Sequence, residues 1–573
     1  MKVVLTPYYK DLFPGENDKL EDLLEGIGSV VILELLSMID AELFSRDEGQ
    51  ITQVKIFELM LGRQTPEEKS KILENVLEGG LNDITNREFF SRHYNLTFMH
   101  YVLIHFREGA MDDLTPLEEL NIFKAYFLVA QQFGQVPVED KSTLPKFDED
   151  YFAKMMWPSL TDSFEINFRT NPYFVMVRGI VLLNYLQFHS PYKLFVEQYL
   201  RKHGKVTNFN YALDIFNILN TNFESIREGK TTFASFTLGR SPGFDSLFDQ
   251  FSLDIETYQQ KYTTGKENYS GIKSRPLYCL DQDTWLVLNW SFLSNKLYEG
   301  LIFDFYNISG IAETKEFKQF TSFKQFIGEH VTEKHLFRLL ARGAWQKKHE
   351  ILLFDEKIPI GFPDVYYRNG NKVFLIEIKD AYFPSEAINS FSYDKIKSAI
   401  DKKLNNTNKG TGQLVKQLKT LYDQPFEKPQ RYKKIANLEI YPIIIYTDIH
   451  FNMPGISEYV NRCFQEMVSQ NGLSGAFRKI WPLTMININY LIGIFDVLKE
   501  SPTSLDKQIE YFHRQINNRI KKHERAREIV NHQAIYDVFE NVTKDLIKQE
   551  ETAKKYIEWI VNTLNLKEGL PSE

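Results

Sequence analysis

Apolar residues recur three or four positions apart from residue 18 to about residue 205, a spacing typical of helices that bury one face. The clearest segments are LEDLLEGIGSVVILELLSMIDAELF, ITQVKIFELML, TPEEKSKILENVL and NIFKAYFLVAQQF. Thr65-Pro66 and Thr115-Pro116 each place a capping residue before a proline in the first helical position. We therefore predict a mostly α-helical domain over residues 1–265.

The pattern changes near residue 270. RPLYCLDQDTWLVLNWSFLSNKL holds two short β-rich pieces around Asp-Gln-Asp, which predicts a β-containing connector over residues 266–320. Beyond it the predicted order is helix 321–342, strand pair 350–380, helix 385–422, strand 437–447, helix 453–471, strand 480–488 and helix 489–499. This alternation predicts an α/β domain over residues 321–500, with a mixed sheet of about four or five strands flanked by helices. Residues 501–573 are predicted to form a helical tail.

The segment IPIGFPDVYYRNGNKVFLIEIKDAYF, residues 358–383, carries charges inside an apolar run. Side chains alternate across a strand, so KVFLIEIK places an all-apolar set on one face and Glu377 and Lys379 on the other. The Asn-Gly of RNGNK is typical of a tight hairpin turn. Folding about that turn is expected to bring Asp364 beside Glu377 and Lys379.

Two carboxylates and one ammonium at a single sheet surface can be interpreted in two ways. A surface hairpin with a cross-strand salt bridge is common and contributes little stability. The apolar reverse face and the predicted helices on both sides instead indicate a covered strand, where unpaired charges are costly. Carboxylate oxygens are the ligands that magnesium prefers, and a nearby lysine can stabilise negative charge or orient a water molecule. The sequence therefore predicts a site for phosphodiester hydrolysis.

Pro363-Asp364, twelve intervening residues and then Glu377-Ile378-Lys379 resemble the signature of the PD-(D/E)xK nuclease superfamily. The resemblance implies a restriction-endonuclease-like fold over roughly residues 320–500. It also implies that Asp364 and Glu377 bind Mg²⁺, for which Mn²⁺ can substitute, with the main-chain carbonyl of Ile378 as an extra ligand. Lys379 is expected to position the hydrolytic water.

The same resemblance implies two further residues. An acidic residue on the helix before the motif is expected to complete the metal shell, and Glu333 is the first choice, with Glu329 as the competing candidate four residues earlier. A glutamine on the helix after the motif is also expected near the site. Gln413 is the first choice for it and Gln417 the second.

Composition, cysteine content and the apolar stretches of the sequence indicate the cellular compartment of the protein. The 573 residues are 43% apolar and 25% charged, as in ordinary soluble globular proteins. The two cysteines, Cys279 and Cys463, can form neither a disulfide framework nor a thiolate zinc site. The N-terminal segment lacks the apolar core of a signal peptide, and the apolar stretch IGSVVILELLSMI is too short to span a bilayer. These features predict a cytoplasmic protein.

The formal net charge of −8 argues against a uniformly basic nucleic-acid-binding surface. Residues 395–434 nevertheless hold eleven Lys or Arg and three acids, a local balance of 11 − 3 = +8. This segment is either a solvated helix face or a rim that contacts phosphates beside the predicted site.

The resulting functional prediction is an Mg²⁺-dependent endonuclease that hydrolyses double-stranded DNA. The resemblance implies products with 5′-phosphate and 3′-hydroxyl ends. Family-level analogy suggests restriction or anti-phage defence. The N-terminal helical domain is expected to sense a trigger, bind a partner protein or form a homodimer. The alternatives are a nuclease on RNA or branched DNA, and a non-catalytic interaction or scaffold protein with a nuclease-like domain.

Overall fold

The computed structural model describes residues 8–46, 50–78, 89–109, 113–133, 150–167, 171–238, 245–262, 269–345, 347, 349–354, 361–427, 432, 434–495, 497–499, 504–524 and 537–546. Contacts divide the chain into two compact units. The helical unit takes its residues from 2–136 and 169–314, and the sheet unit from 137–168 and 315–568. This division differs from the predicted one, because residues 151–167 join the sheet unit and most of the predicted connector joins the helical unit.

The helices, in chain order, are α1 Tyr9–Leu12, α2 Leu20–Leu23, α3 Ser29–Ser45, α4 Gln50–Met60, α5 Pro66–Glu78, α6 Arg92–Ile104, α7 Pro116–Phe133, α8 Tyr151–Asn167, α9 Pro172–Phe188, α10 Lys193–Lys202, α11 Asn208–Arg227, α12 Asp245–Gln250, α13 Ile255–Lys261, α14 Ser270–Ser274, α15 Trp290–Asn295, α16 Glu299–Ile308, α17 Phe320–Phe326, α18 Arg338–Ala344, α19 Ser385–Ile388, α20 Tyr393–Leu404, α21 Thr411–Asp423, α22 Ile456–Gln470, α23 Ile488–Ile494, α24 Leu505–Glu524 and α25 Phe539–Thr543. The strands are β1 Ser235–Thr237, β2 Leu277–Cys279, β3 Thr284–Val287, β4 Glu350–Phe354, β5 Val365–Asn369, β6 Lys372–Lys379, β7 Glu439–Tyr446, β8 Lys479–Ile480 and β9 Thr484–Asn487.

The helical unit begins its helices where the sequence predicts. Both α5 and α7 start at the proline of a Thr-Pro pair. The Thr65 hydroxyl accepts a hydrogen bond from the Glu68 N–H at 3.3 Å, and the Glu68 carboxylate accepts one from the Thr65 N–H at 2.9 Å. This reciprocal pair satisfies two N–H groups that a helix start leaves open. Within the described residues, no helix is both long and apolar enough to cross a membrane.

The two β-rich pieces predicted around Asp-Gln-Asp are present as an antiparallel pair. Strands β2 and β3 run antiparallel, with Leu277 opposite Val287, and β1 pairs with the other side of β3. The prediction of two short strands is therefore confirmed, and β1 adds a third strand that the sequence pattern did not indicate.

The sheet unit contains a mixed sheet of six strands in the order β4-β5-β6-β7-β8, with β9 also paired to β7. Strands β4, β5 and β6 form an antiparallel meander, whereas β6, β7, β8 and β9 run parallel. The predicted α/β class is confirmed, with one strand more than the upper expectation. The predicted strand pair 350–380 forms three strands, β4, β5 and β6, and the predicted strand 480–488 forms two short strands, β8 and β9. The predicted single helix 385–422 is instead three helices, α19, α20 and α21.

The break between α20 and α21 has a steric cause. Gly410 has a φ of 59°, and a Cβ at this position would lie 2.1 Å from the carbonyl oxygen of Leu404. The chain therefore folds back on α20 at a point that only glycine can occupy without displacing the backbone.

Both faces of the central strand β6 are covered, as the sequence pattern predicts. Val373 and Leu375 belong to a core shared with the inner faces of α20, α21 and α22. On the opposite face, rings stack across neighbouring strands: Tyr367 and Phe374 lie 5.0 Å apart between centroids, and Phe374 and Tyr441 lie 4.7 Å apart. Helix α24, from the predicted tail, closes this face, where Glu510 accepts a 2.7 Å hydrogen bond from Lys372.

Helix α25 lies at the carboxyl ends of the parallel strands. Glu540 accepts a 2.8 Å hydrogen bond from the N–H of Asn487, the last residue of β9, while its Oε2 atom is buried. Burial raises the pKa of the Glu540 carboxyl to about 7, and the negative charge of Asp537 adds to the effect. A pKa raised by folding means that the native state favours the protonated acid.

This pKa predicts how stability depends on pH. The stabilisation from protonated Glu540 is present below about pH 4.5 and is lost as the pH rises towards 7, a change of up to about 3 kcal/mol. The variant Glu540→Gln does not titrate, so it should gain stability relative to the native chain between pH 5 and pH 8. Urea unfolding at pH 5 and pH 8 measures the difference in the free energy of unfolding between Glu540→Gln and the native chain. Glu386→Gln, the same change at an exposed position, is the control. An equal difference at the two pH values would contradict the prediction.

Candidate active site

The β5–β6 hairpin brings the predicted acidic residues together. Its loop is Gly370-Asn371, Gly370 has a φ of 62°, and Val365 pairs with Ile376. Asp364 directly precedes Val365, so this register places it beside Glu377. The N–H of Ile378 donates a 2.7 Å hydrogen bond to Asp364 Oδ2. The hairpin predicted from Asn-Gly is confirmed.

Glu377 is completely buried at the end of β6. Lys379 Nζ lies 2.9 Å from Glu377 Oε2, and the side-chain amide of Gln417 donates a hydrogen bond to Oε1. Each oxygen of the buried carboxylate therefore has a polar partner, which burial of a charge requires.

The glutamine at this carboxylate is the second choice from the sequence. Gln413, the first choice, instead accepts a 3.0 Å hydrogen bond from the N–H of Gly410 and so caps the start of α21. Gln417, one helical turn later, is buried and faces Glu377. Leu414, Leu418 and Leu421 pack into the core and thereby fix the rotation of α21.

Of the two upstream candidates, the structure brings Glu333 to the site. Its negative charge raises the pKa of both Asp364 and Lys379. Glu329 faces solvent with 46% of its side chain exposed, where Lys334 binds it at 2.5 Å and lowers its pKa. Both glutamates lie in a π-helical segment, Ile327–Phe337, which joins α17 to α18.

The site holds more negative than positive charge. Burial raises the pKa of the Asp364 carboxyl well above its usual range, and the carboxylates of Glu377 and Glu333 raise it further. Burial lowers the pKa of Lys379, but Glu377 and Asp364 outweigh burial and leave that pKa above its ordinary value. Three acids thus share one ammonium, and this crowding favours uptake of a proton or a cation.

The donor set suits a hard divalent cation. Carboxylate and carbonyl oxygens are the ligands of magnesium, and a cation would relieve the repulsion that raises the pKa of Asp364. Asp364, Glu377, Glu333 and the carbonyl of Ile378 are the residues that would hold it. In the described ranges, no three His, Cys, Asp or Glu side chains are already arranged to surround a metal ion. Asp364 and Glu377 are instead held by the contacts from Ile378, Lys379 and Gln417.

Asp380 is a structural residue that the sequence analysis missed. It forms a buried ion pair with Lys324 of α17, accepts a 2.7 Å hydrogen bond from Thr332 and accepts a 2.6 Å bond from Thr447, which follows β7. Thr332 immediately precedes Glu333, so Asp380 ties the π-helical segment to the end of β6. The only local signal is an acid directly after Lys379, because its partners lie 48–67 residues away.

No family model, curated protein or solved structure matches this chain. The resemblance to the nuclease superfamily therefore depends on the motif residues themselves, and the chemistry of the site is argued from its own contacts.

The Asp380 network predicts a large effect on stability. The substitution Asp380→Asn removes the carboxylate that lies against the buried Lys324 ammonium, which should lower the free energy of unfolding by about 3 kcal/mol. Adding Lys324→Met removes the buried ammonium as well, so the double variant should be more stable than Asp380→Asn alone. Urea unfolding of the four proteins in this cycle measures the coupling. Additive effects of the two substitutions would show that the pair is not coupled.

Proposed function

We propose that the sheet unit is a divalent-metal-dependent nuclease domain with a restriction-endonuclease-like fold, and that it hydrolyses phosphodiester bonds in DNA. The mixed sheet supports the proposal, because an antiparallel meander carries the motif and its last strand pairs in parallel with β7. The motif residues, Pro363-Asp364 and Glu377-Ile378-Lys379, occupy adjoining strands of that meander or their ends.

The arrangement of Asp364, Glu377 and Lys379 is the observation that carries the proposal. The Asp364 carboxylate accepts a hydrogen bond from the N–H of Ile378, the residue that follows Glu377. Lys379 Nζ lies 2.9 Å from the Glu377 carboxylate. A surface salt bridge would leave these groups in solvent. Glu377 is instead fully buried and the Lys379 side chain is 17% exposed. Such a concentration of paired and perturbed charges is typical of functional sites.

Each residue has a role that follows from its contacts. Lys379 stays protonated at neutral pH because the neighbouring acids raise its pKa, so it acts as a hydrogen-bond donor to water or to developing negative charge. Gln417 orients the Glu377 carboxylate from the helix side. Asp364 and Glu377 would hold Mg²⁺ or Mn²⁺, supported by Glu333 and the carbonyl of Ile378. The bound ion supplies Lewis-acid polarisation of the phosphate.

DNA as substrate, endonucleolytic cleavage and a role in restriction or anti-phage defence come from the family resemblance alone. The cytoplasmic location is a prediction from composition, and a homodimer or partner-bound assembly is a prediction about the N-terminal helical domain. A nuclease acting on RNA or branched DNA would use the same residues. A non-catalytic scaffold would retain the same fold without the chemistry. A substrate panel therefore accompanies the cleavage test.

The first test is cleavage of supercoiled plasmid by the purified full chain with Mg²⁺ or Mn²⁺. We expect nicked and linear products, none with EDTA, and at least a 100-fold lower rate for Glu377→Gln and Lys379→Ala. Linear DNA, branched DNA and RNA run in parallel define the substrate class. Circular dichroism and thermal melting establish that the variants fold. Equal rates for folded variants and native chain would refute the proposed site, and no cleavage of any substrate would support the scaffold alternative.

A second test uses the two glutamates of the π-helical segment as a matched pair. Glu333→Gln removes a charge that acts on Asp364, so it should lower the cleavage rate about 10-fold or more and raise the metal concentration needed for half-maximal rate. Glu329→Gln makes the same chemical change at an exposed position and should leave both quantities within about 2-fold. Metal titrations of the initial rate measure both. The reverse ranking would assign the role to Glu329.

A further inference from the structure

Three lysines meet where α20 turns into α21. Lys402 and Lys403 lie in the last turn of α20, and Lys409 lies just before α21. The chain between the two helices is tight, because a Cβ on Gly412 would lie 2.3 Å from the carbonyl oxygen of Asn406. We call Lys402, Lys403 and Lys409 the lysine turn.

None of the described acidic residues forms an ion pair with the lysine turn. In the described part of the chain, no carboxylate lies within salt-bridge distance of its three ammonium groups. Burial lowers the pKa of Lys403, and the positive charges of Lys409 and Lys402 lower it further. Lys324 and Lys372 of the same unit are, by contrast, paired with acids. Clustered like charges repel one another, so the lysine turn offers an unneutralised positive surface in a chain of net charge −8.

The lysine turn lies at the same sheet edge as the candidate active site. Lys379, the last residue of β6, pairs with Tyr446, the last residue of β7, so the two parallel strands end together. Asp448, two residues after β7, accepts a 2.7 Å hydrogen bond from the N–H of Phe383, which follows β6. The charge of Asp448 also acts on Lys403. Lys379 and the lysine turn therefore lie at the same edge of the sheet, where β6 and β7 end.

Helix α21 connects the two sites directly. Its inner face carries Gln417, which binds Glu377, and its outer face carries the exposed Lys416 and Lys419. Lys416 also donates a 2.7 Å hydrogen bond to Asn408, in the segment beside Lys409. Positive charge thus continues from the lysine turn along the solvent side of the helix that touches the catalytic carboxylate. Lys428, Arg431 and Lys433 of the predicted basic segment lie outside the described residues.

We infer that the lysine turn binds the phosphate backbone of duplex DNA and holds it across the sheet edge that carries Asp364 and Glu377. The identification of the polyanion as DNA rests on the proposed function. Lysine is suited to this role because it contacts phosphates as a point charge and without regard to base sequence. Binding of this kind releases counterions and therefore weakens steeply as salt increases.

The experiment measures binding and not cleavage. The full chain carrying Glu377→Gln is titrated into a fluorescent 30-base-pair duplex in Ca²⁺, from about 50 to 300 mM salt. The test protein adds Lys402→Gln, Lys403→Gln and Lys409→Gln. Its matched control instead adds Lys193→Gln, Lys230→Gln and Lys318→Gln, three exposed lysines whose loss changes the net charge equally. Single-stranded DNA and RNA of the same length run in parallel.

If each lysine contacts one phosphate, the slope of log Kd against log salt should fall by about 2–3 in the test protein, with about 10–100-fold weaker binding at low salt. The control should keep the original slope. An unchanged slope in the test protein, an equal change in both proteins, or no binding of any duplex overturns the inference. The same change on single strands or RNA with none on the duplex overturns the assignment of duplex DNA. A changed slope in a protein that cleaves nothing retains the inference while the proposed nuclease function fails.

Discussion

A fully buried carboxylate, Glu377, is the constraint on which the sheet unit depends. A charge without water is tolerated only when its oxygens are satisfied, and here Lys379 and Gln417 satisfy one oxygen each. The two partners come from different elements: Lys379 from β6, the strand of Glu377 itself, and Gln417 from helix α21. Glu377 therefore requires that Gln417 of α21 faces the end of β6. One polar contact links the chemistry of the site to the packing of the helical layer.

The opposite face of β6 makes this arrangement possible. Stacked rings, including Phe374 and Tyr441, form an apolar surface on the face opposite Glu377, while Val373 and Leu375 pack into the core on the same face as Glu377. Asp380 ties two segments to the end of this strand: α17 through Lys324 and the π-helical segment through Thr332. A π-helix closes its hydrogen bonds over five residues instead of four, and it changes which side chains share a face. Glu333 and Glu329, four residues apart, accordingly have different surroundings.

These features explain which parts could be predicted from sequence. The hairpin was predictable because its signals are local: the Asn-Gly pair of RNGNK, whose glycine begins the Gly370-Asn371 loop, and the alternation of side chains in β6. The choice between Gln413 and Gln417 was not, because the rotation of α21 is set by Leu414, Leu418 and Leu421 packing against elements far away in the chain. The choice between Glu333 and Glu329 depended on a π-helical segment that no residue pattern signals. The Asp380 network joins residues 48–67 positions apart, beyond the reach of periodicity. The prediction of one helix over residues 385–422 was wrong at Gly410, because the carbonyl of Leu404 comes so close that only glycine fits there.

The charges at the sheet edge pose a physical problem for any nucleic-acid substrate. Asp364, Glu377 and Glu333 repel a phosphate backbone, and the single ammonium of Lys379 does not neutralise three acids. Two separate interactions could offset this repulsion, and both are compatible with the contacts described above. A divalent ion would remove repulsion at the reacting phosphate, beside the buried Glu377, where screening by salt is weak. The lysine turn would supply attraction farther along the backbone, where Lys402 and Lys409 are exposed and would respond to salt. Because the two would act on different phosphates, the proposed binding would let a protein of net charge −8 attract a polyanion and still keep a negatively charged site.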